Sequence, residues 1–273
     1  MTCKRQISFS SWKLYKKSTK DWYFRYIAKD KPPREPQHPA AAVGTIFDVN
    51  VKSQLATDLG LPEPPHDLGD VIHMHAYDVA RRVLDQYHST GAYDSLLSVL
   101  REASDVAFEA RRDRDHLKGY PDATFTLNGF TVVLDWKVRN SVSQWPASPT
   151  PGYVRTLPNG AQHKLCNPSI LPGSHLTFNT SPFNNFNEDY AAQCQIGGWL
   201  LGDDRPLCWI EEICCKPSDG TLRVATHRGF NDSTWSQRLA DELKTLSQLE
   251  WYDETLERQA TAMTLNPELM ELV

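Results

Sequence analysis

From Ala123 to Lys137 the chain reads ATFTLNGFTVVLDWK, and no other segment constrains the fold as tightly. Two β-rich runs, Ala123 to Leu127 and Phe130 to Leu134, flank Asn128-Gly129. Asn-Gly accepts the left-handed backbone that a two-residue hairpin turn demands, so the runs are expected to fold beside each other. Asp122 stands just before the first strand, and Asp135 and Lys137 stand at the end of the second. Residues two apart on a strand project from the same face, so Asp135 and Lys137 share one if the strand continues through them. The hairpin thus gathers two carboxylates and one ammonium at a sheet edge or end.

That set has a specific chemistry. Mg2+ is a hard ion that takes oxygen ligands and keeps several waters. Two carboxylates fix such an ion beside a phosphate, where it polarises a phosphoryl oxygen and acidifies a water. A nearby lysine stabilises charge on the phosphate or orients the attacking water. The bland alternative is a hairpin with exposed charges, since Asp-x-Lys is common by chance. The apolar run Val132-Val133-Leu134 before Asp135, and Pro121 before Asp122, favour the site.

Around this hairpin the periodicity predicts two short helices within Ser8 to Ile27, a Pro-rich connector over Lys29 to Ala40, and a helix over Val43 to Leu55 starting at Gly44-Thr45. Asp67 to His88 reads as helix, and Tyr93 to Ala110 continues that character. Lys137 to Asn187 is rich in Pro, Ser, Asn and Gly and reads as a long functional insertion or lid. Tyr190 to Leu201 returns to helix, ending at Gly202. Leu207 to Cys215 and Thr221 to His227 form a second β pair, and Thr234 to Leu249 an amphipathic helix. The order predicts an α/β class with a small central sheet flanked by helices. One domain is expected, with a helical part over about 1–115, a catalytic core over about 116–250, an insertion over about 139–188 and a tail over about 251–273.

The net charge is -5, so no overall basic field advertises nucleic acid, and phosphate binding needs a local basic patch. No apolar run approaches the roughly 18 to 20 residues that span a bilayer, and no apolar stretch follows Lys4 and Arg5 as in a secretory signal. The six cysteines form no C-x-x-C pair, which suits reduced thiols and a cytoplasmic setting. The nine histidines show no zinc spacing, and neither a phosphate-binding G-x-x-x-x-G-K-[ST] nor a G-x-S-x-G is present. His227-Arg228, at the end of the last strand, either reaches a phosphate or lies on the surface.

The sequence resembles the PD-(D/E)XK nuclease superfamily, in its RecB-like and phage-exonuclease branch. Pro121-Asp122 matches the first acidic motif and Asp135-Trp136-Lys137 the second. Gly44-Thr45-Ile46-Phe47-Asp48 is similar to the G-T-x-x-H helix, with Asp48 where RecB-like members place a metal-binding histidine. Gln195 and Trp199 match a Q-x-x-x-Y helix with Trp for Tyr, and Gln193 with Gln195 resembles the Q-x-Q of lambda-type exonucleases. For Trp199, packing in the core is an equal reading. Ser8, Ser10 and Tyr15 resemble the S-x-S-x-x-x-x-Y opening, with Lys13 adding charge beside them.

The resemblance implies a restriction-endonuclease-like core with a mixed sheet, and Mg2+- or Mn2+-dependent hydrolysis of DNA. Asp122 and Asp135 would bind one or two divalent ions with Asp48 and the carbonyl of Trp136. Lys137 would support the nucleophile, and Gln195 would orient Lys137 or the substrate strand. Ser8, Ser10, Lys13, Tyr15, Gln193 and Trp199 would contact DNA. An exonuclease in phage DNA recombination, repair or replication is expected, with phage recombination or replication proteins as partners. No closely spaced C-terminal cysteine triplet accompanies Cys3, so no iron–sulfur cluster is expected. The rival from another class is a binding or assembly module that keeps the fold without cutting.

Overall fold

The structure is a computed structural model and describes residues 6–28, 37–65, 74–139, 154–156, 162–164, 173–215 and 222–249. Two short helices open the chain, α1 (Phe9–Lys17) and α2 (Thr19–Tyr26). Each starts on a serine cap: Ser8 Oγ accepts from the Ser11 N–H and Ser18 Oγ from the Asp21 N–H. Three longer helices follow, α3 (Pro39–Leu59), α4 (Met74–Ser89) and α5 (Ala92–Glu102). The helix expected over Val43 to Leu55 is therefore longer at both ends. It begins on Pro39, whose missing N–H costs nothing in a first turn. Of the segment expected to be helical from Asp67 to His88, residues 67–73 lie outside the described residues.

The helical reading of Tyr93 to Ala110 needs correcting. Helix α5 stops at Glu102, and strand β1 (Ser104–Phe108) follows. Two short strands come next, β2 (Arg112–Arg114) and β3 (Leu117–Gly119), paired with each other. The hairpin is as the sequence predicts: β4 (Ala123–Leu127) and β5 (Phe130–Arg139) pair antiparallel, with Asn128 at φ 52° and Gly129 at φ 80°. Strand β1 exists because β4 offers it backbone partners, a long-range pairing that outweighs a local helical preference.

The 139–188 insertion is not all loop. Besides the separate pair β6 (Val154–Thr156) and β7 (Gln162–Lys164), it contains β8 (Ser174–Asn179), which joins the main sheet. Residues 140–153, 157–161 and 165–172 lie outside the described residues. Helix α6 (Glu188–Leu201), strands β9 (Leu207–Cys215) and β10 (Leu222–Gly229), and helix α7 (Ser233–Gln248) complete the fold. Helix α6 ends as expected at Gly202, which takes the left-handed conformation.

Six strands form one mixed sheet in the order β1-β4-β5-β9-β10-β8. Strands β5 and β9 run parallel, as do β10 and β8; the remaining neighbours are antiparallel. Alternation along β5 separates two cores. Val132, Leu134 and Trp136 pack with Phe47, Val51, Tyr87 and Leu96 of α3, α4 and α5. Val133 packs on the other face with Ile196 of α6 and Leu239 of α7, together with Ile210 of β9. Asp135 and Lys137 follow the parity of Val133, so they face α6.

Candidate active site

The sheet register sets three carboxylates in a row. Ala123 pairs with Leu134, which brings Asp122 level with Asp135. Phe108 pairs with Ala123, and the Glu109 N–H donates to the Asp122 carbonyl at 3.2 Å. Glu109, just past β1, Asp122, just before β4, and Asp135, within β5, therefore stand side by side. Glu109 takes a positive φ of 49°, a conformation that costs a non-glycine residue about 1 kcal/mol or more. The sequence reading missed Glu109 because it placed this segment in a helix.

Helix α3 supplies a fourth carboxylate, Asp48, and a lysine one turn later, Lys52. The Lys52 ammonium donates to Asp48 Oδ2 and Glu109 Oε1 and lies 3.2 Å from Asp122 Oδ1. Lys52 is 1% exposed, so it is committed to this cluster. The spacing of Asp48 and Lys52 carried a signal, since residues four apart meet on a helix; Lys52 was nevertheless not among the expected site residues.

On the α6 face, Lys137 contacts Asp135 Oδ2 and donates to Gln193 Oε1 at 2.9 Å. The Gln193 amide nitrogen donates in turn to Asp135 Oδ1. Gln193 thus clamps the carboxylate and the ammonium together. The Trp136 N–H donates to Asp122 Oδ2 at 3.3 Å, which ties the two halves of the site across β5. The Trp136 ring points the other way, into the core under α3.

The expected role of Gln195 needs correcting. Gln195 is buried, and its amide nitrogen donates to the Asp204 carbonyl at 2.9 Å. Its amide oxygen accepts from Asn231 and from the Ser236 hydroxyl, both at 3.0 Å. Two residues on a helix are about 200° apart, so Gln193 and Gln195 cannot face the same site. Gln193, expected among the DNA contacts, is the residue beside Lys137. Trp199 is half-buried and packs against the core between α6 and α7.

The remaining expected contacts lie on α1. Ser8 caps the helix, Ser10 shares hydrogen bonds with Ser8 and Tyr26, and Tyr15 stacks edge-on against Trp22. Lys13 pairs with Asp189 at 2.6 Å, linking α1 to the first turn of α6. These contacts join α1, α2 and α6. His227 is fully buried, stacked on Phe178 and Phe186, so neither expected position for it holds.

Burial and mutual repulsion set the charges. Burial pushes Asp135 well above the ordinary carboxylate range, and neighbouring Asp122 adds to this. Burial also acts to raise Asp122, but Lys52, the Asp135 carboxyl and Lys137 outweigh it and hold Asp122 low. Asp48 is pushed up to about 7, by burial first and Asp122 second. Burial works to lower both lysines, yet their carboxylate partners raise them, so both stay charged.

The donor set suits a hard divalent ion. Asp48, Glu109 and Asp122 each bring a carboxylate oxygen within 4.8 Å of the others. Asp48 Oδ1 is buried without a hydrogen-bond partner, an acceptor that a cation would satisfy. No model of a protein family matches the chain, and no curated protein matches it significantly.

Proposed function

We propose that the chain is a Mg2+- or Mn2+-dependent deoxyribonuclease built on a restriction-endonuclease-like core. The supporting observation is the joining of Asp122, Asp135 and Lys137 across one hairpin, with Gln193 clamping the last two. Asp48, Asp122 and Asp135 would hold the ion, while Glu109, which tertiary structure adds, pairs with Lys52 beside them. A divalent ion there supplies polarisation of the phosphate and a more acidic water. Lys137 carries its positive charge to the phosphate, where negative charge grows as water forms one P–O bond and the ester P–O bond breaks. Gln193 holds Lys137 at a fixed distance from Asp135, so the ammonium is positioned before substrate arrives. In keeping with the sequence resemblance, the proposed role is an exonuclease in phage DNA recombination, repair or replication.

The test is incubation with linear and circular, single- and double-stranded DNA in Mg2+, Mn2+ or EDTA. Asp135→Ala and Lys137→Ala run alongside, with circular dichroism to show that they fold. The expected outcome is metal-dependent loss of linear DNA alone, reduced on the order of 10³-fold in either variant. Cutting of circles would make the chain an endonuclease. One observation favours a second reading, a DNA-binding module that does not cut: the Lys52 ammonium already pairs with all three carboxylates of the acidic cluster. Binding of DNA with no cleavage in any metal would select that reading.

A further inference from the structure

The sequence leaves open whether such a site takes one divalent ion or two. Lys52 bears on the choice. Its ammonium sits among Asp48, Glu109 and Asp122, the same three carboxylates whose oxygens converge closely enough to ligate a cation. The side chain is 1% exposed and comes from the middle of α3, whose packing on β5 fixes its stem. Gly44 of α3 lies so near β5 that a Cβ on it would meet Val138 at 3.9 Å. The ammonium also lies 5.8 Å from the centre of the Trp136 ring, an attraction that further holds it in place.

We infer that Lys52 is a built-in cation of the site: its ammonium takes the position that a second divalent ion would occupy, so the chain works with one. The inference rests on the metal-dependent reading above. Charge supports it. Lys52 and Lys137 already bring two positive charges to these carboxylates. A buried site tolerates little net charge. A second divalent ion, about 4 Å from the first as in two-metal sites, would stand against a fixed ammonium that has no exposed route away. The remaining ion would fall to Asp122 and Asp135, which lie level with each other across the hairpin, with the unpartnered Asp48 Oδ1 as a further acceptor.

Lys52 is thus a positioning residue, and the number of ions bound reads its role directly. Mn2+ bound per chain is counted by titrating the full chain and reading free Mn2+ by electron paramagnetic resonance. Lys52→Met keeps the stem without the charge, and Lys52→Gln keeps a donor without the charge. About one Mn2+ is expected on the wild type and about two on each variant, the second seated among Asp48, Glu109 and Asp122. Two ions on the wild type, or no gain in a folded variant, would overturn the inference. Should neither variant fold, the wild-type spectrum at saturation decides: an isolated Mn2+ signal supports the inference, and an exchange-coupled pair sinks it. DNA cleavage is measured on the same samples. One bound ion without cleavage would end the nuclease reading and leave the role of Lys52 standing; two bound ions with cleavage would do the reverse.

Discussion

Gln193 and Gln195 are separated by one residue and by half a turn of the helix surface, and that half turn gives them different partners. Gln193 touches Asp135 and Lys137; Gln195 touches Asp204, Asn231 and Ser236. Gln193→Ala is expected to lower cleavage about 10- to 100-fold with little change in unfolding free energy, as loss of a group that orients active residues does. Gln195→Ala leaves buried partners unsatisfied and is expected to cost about 1–3 kcal/mol, read by urea denaturation, with a smaller effect on rate. Asp48 makes a prediction about pH. Its carboxyl is pushed up to about 7 in the metal-free fold, and binding an ion requires it ionised. Asp135, also pushed up, must lose its proton as well, so Mg2+ affinity should weaken as pH falls, by about tenfold per pH unit for each carboxyl still protonated, measured by titration calorimetry. The sign for stability is the opposite. The folded chain keeps a proton that the unfolded chain releases near 3.8, so the contribution of Asp48 is complete below that pH and is lost as pH rises through 7.

Helix α6 can place Gln193 only because it lies almost against the sheet. A Cβ on Gly197 would stand 2.8 Å from Val133 Cγ1, and one on Gly198 2.3 Å from Pro206 Cγ. Adjacent glycines remove the side chains that would hold the helix off β5 and the turn before β9. Gly197→Val should push α6 outward, at a cost of about 1–3 kcal/mol in denaturant unfolding and with loss of cleavage as Gln193 leaves Asp135. A stable, fully active Gly197→Val would show that the clamp tolerates a displaced helix. Strand β1 has a matching role on the other side of the hairpin. Its register against β4 sets Glu109 beside Asp122, and the left-handed turn at Glu109 aims its carboxylate at Lys52.

The whole molecule uses its sheet as a partition with the site set into it. Helices α3, α4 and α5 cover one face; α1, α2, α6 and α7 cover the other. The site draws on both, with Asp48 and Lys52 from one layer, Gln193 from the other, and Glu109, Asp122, Asp135 and Lys137 from the sheet between. On the metal-dependent reading, an ion that joins these parts would bind the folded chain alone and stabilise the whole domain. At Mg2+ a hundredfold above its dissociation constant the gain is about 2.7 kcal/mol, seen as a higher Tm than in EDTA. Asp122→Asn, which removes charge at the junction of the two halves, should abolish that increment.

The amino-acid sequence by itself determined the hairpin and what it carries. Asn128-Gly129 sets the turn, the turn sets the register, and the register puts Asp122 level with Asp135 and Lys137 two residues beyond. These are local consequences of backbone sterics and strand alternation, which need no distant contact. Helices α1, α2 and α7, with caps or apolar periodicity in plain view, and α6, with its terminal Gly202, were legible for the same reason. Glu109, Lys52 and the choice of Gln193 over Gln195 were decided only by tertiary structure. Glu109 needs β1, and β1 forms through pairing with a strand fifteen or more residues away. Lys52 became a site residue when burial of α3 against β5 set its ammonium on Asp48 of its own helix and on Glu109 and Asp122, which flank β1 and β4. Gln193 won its place through the rotation of α6 about its own axis, which close packing at Gly197 fixes and periodicity alone leaves free.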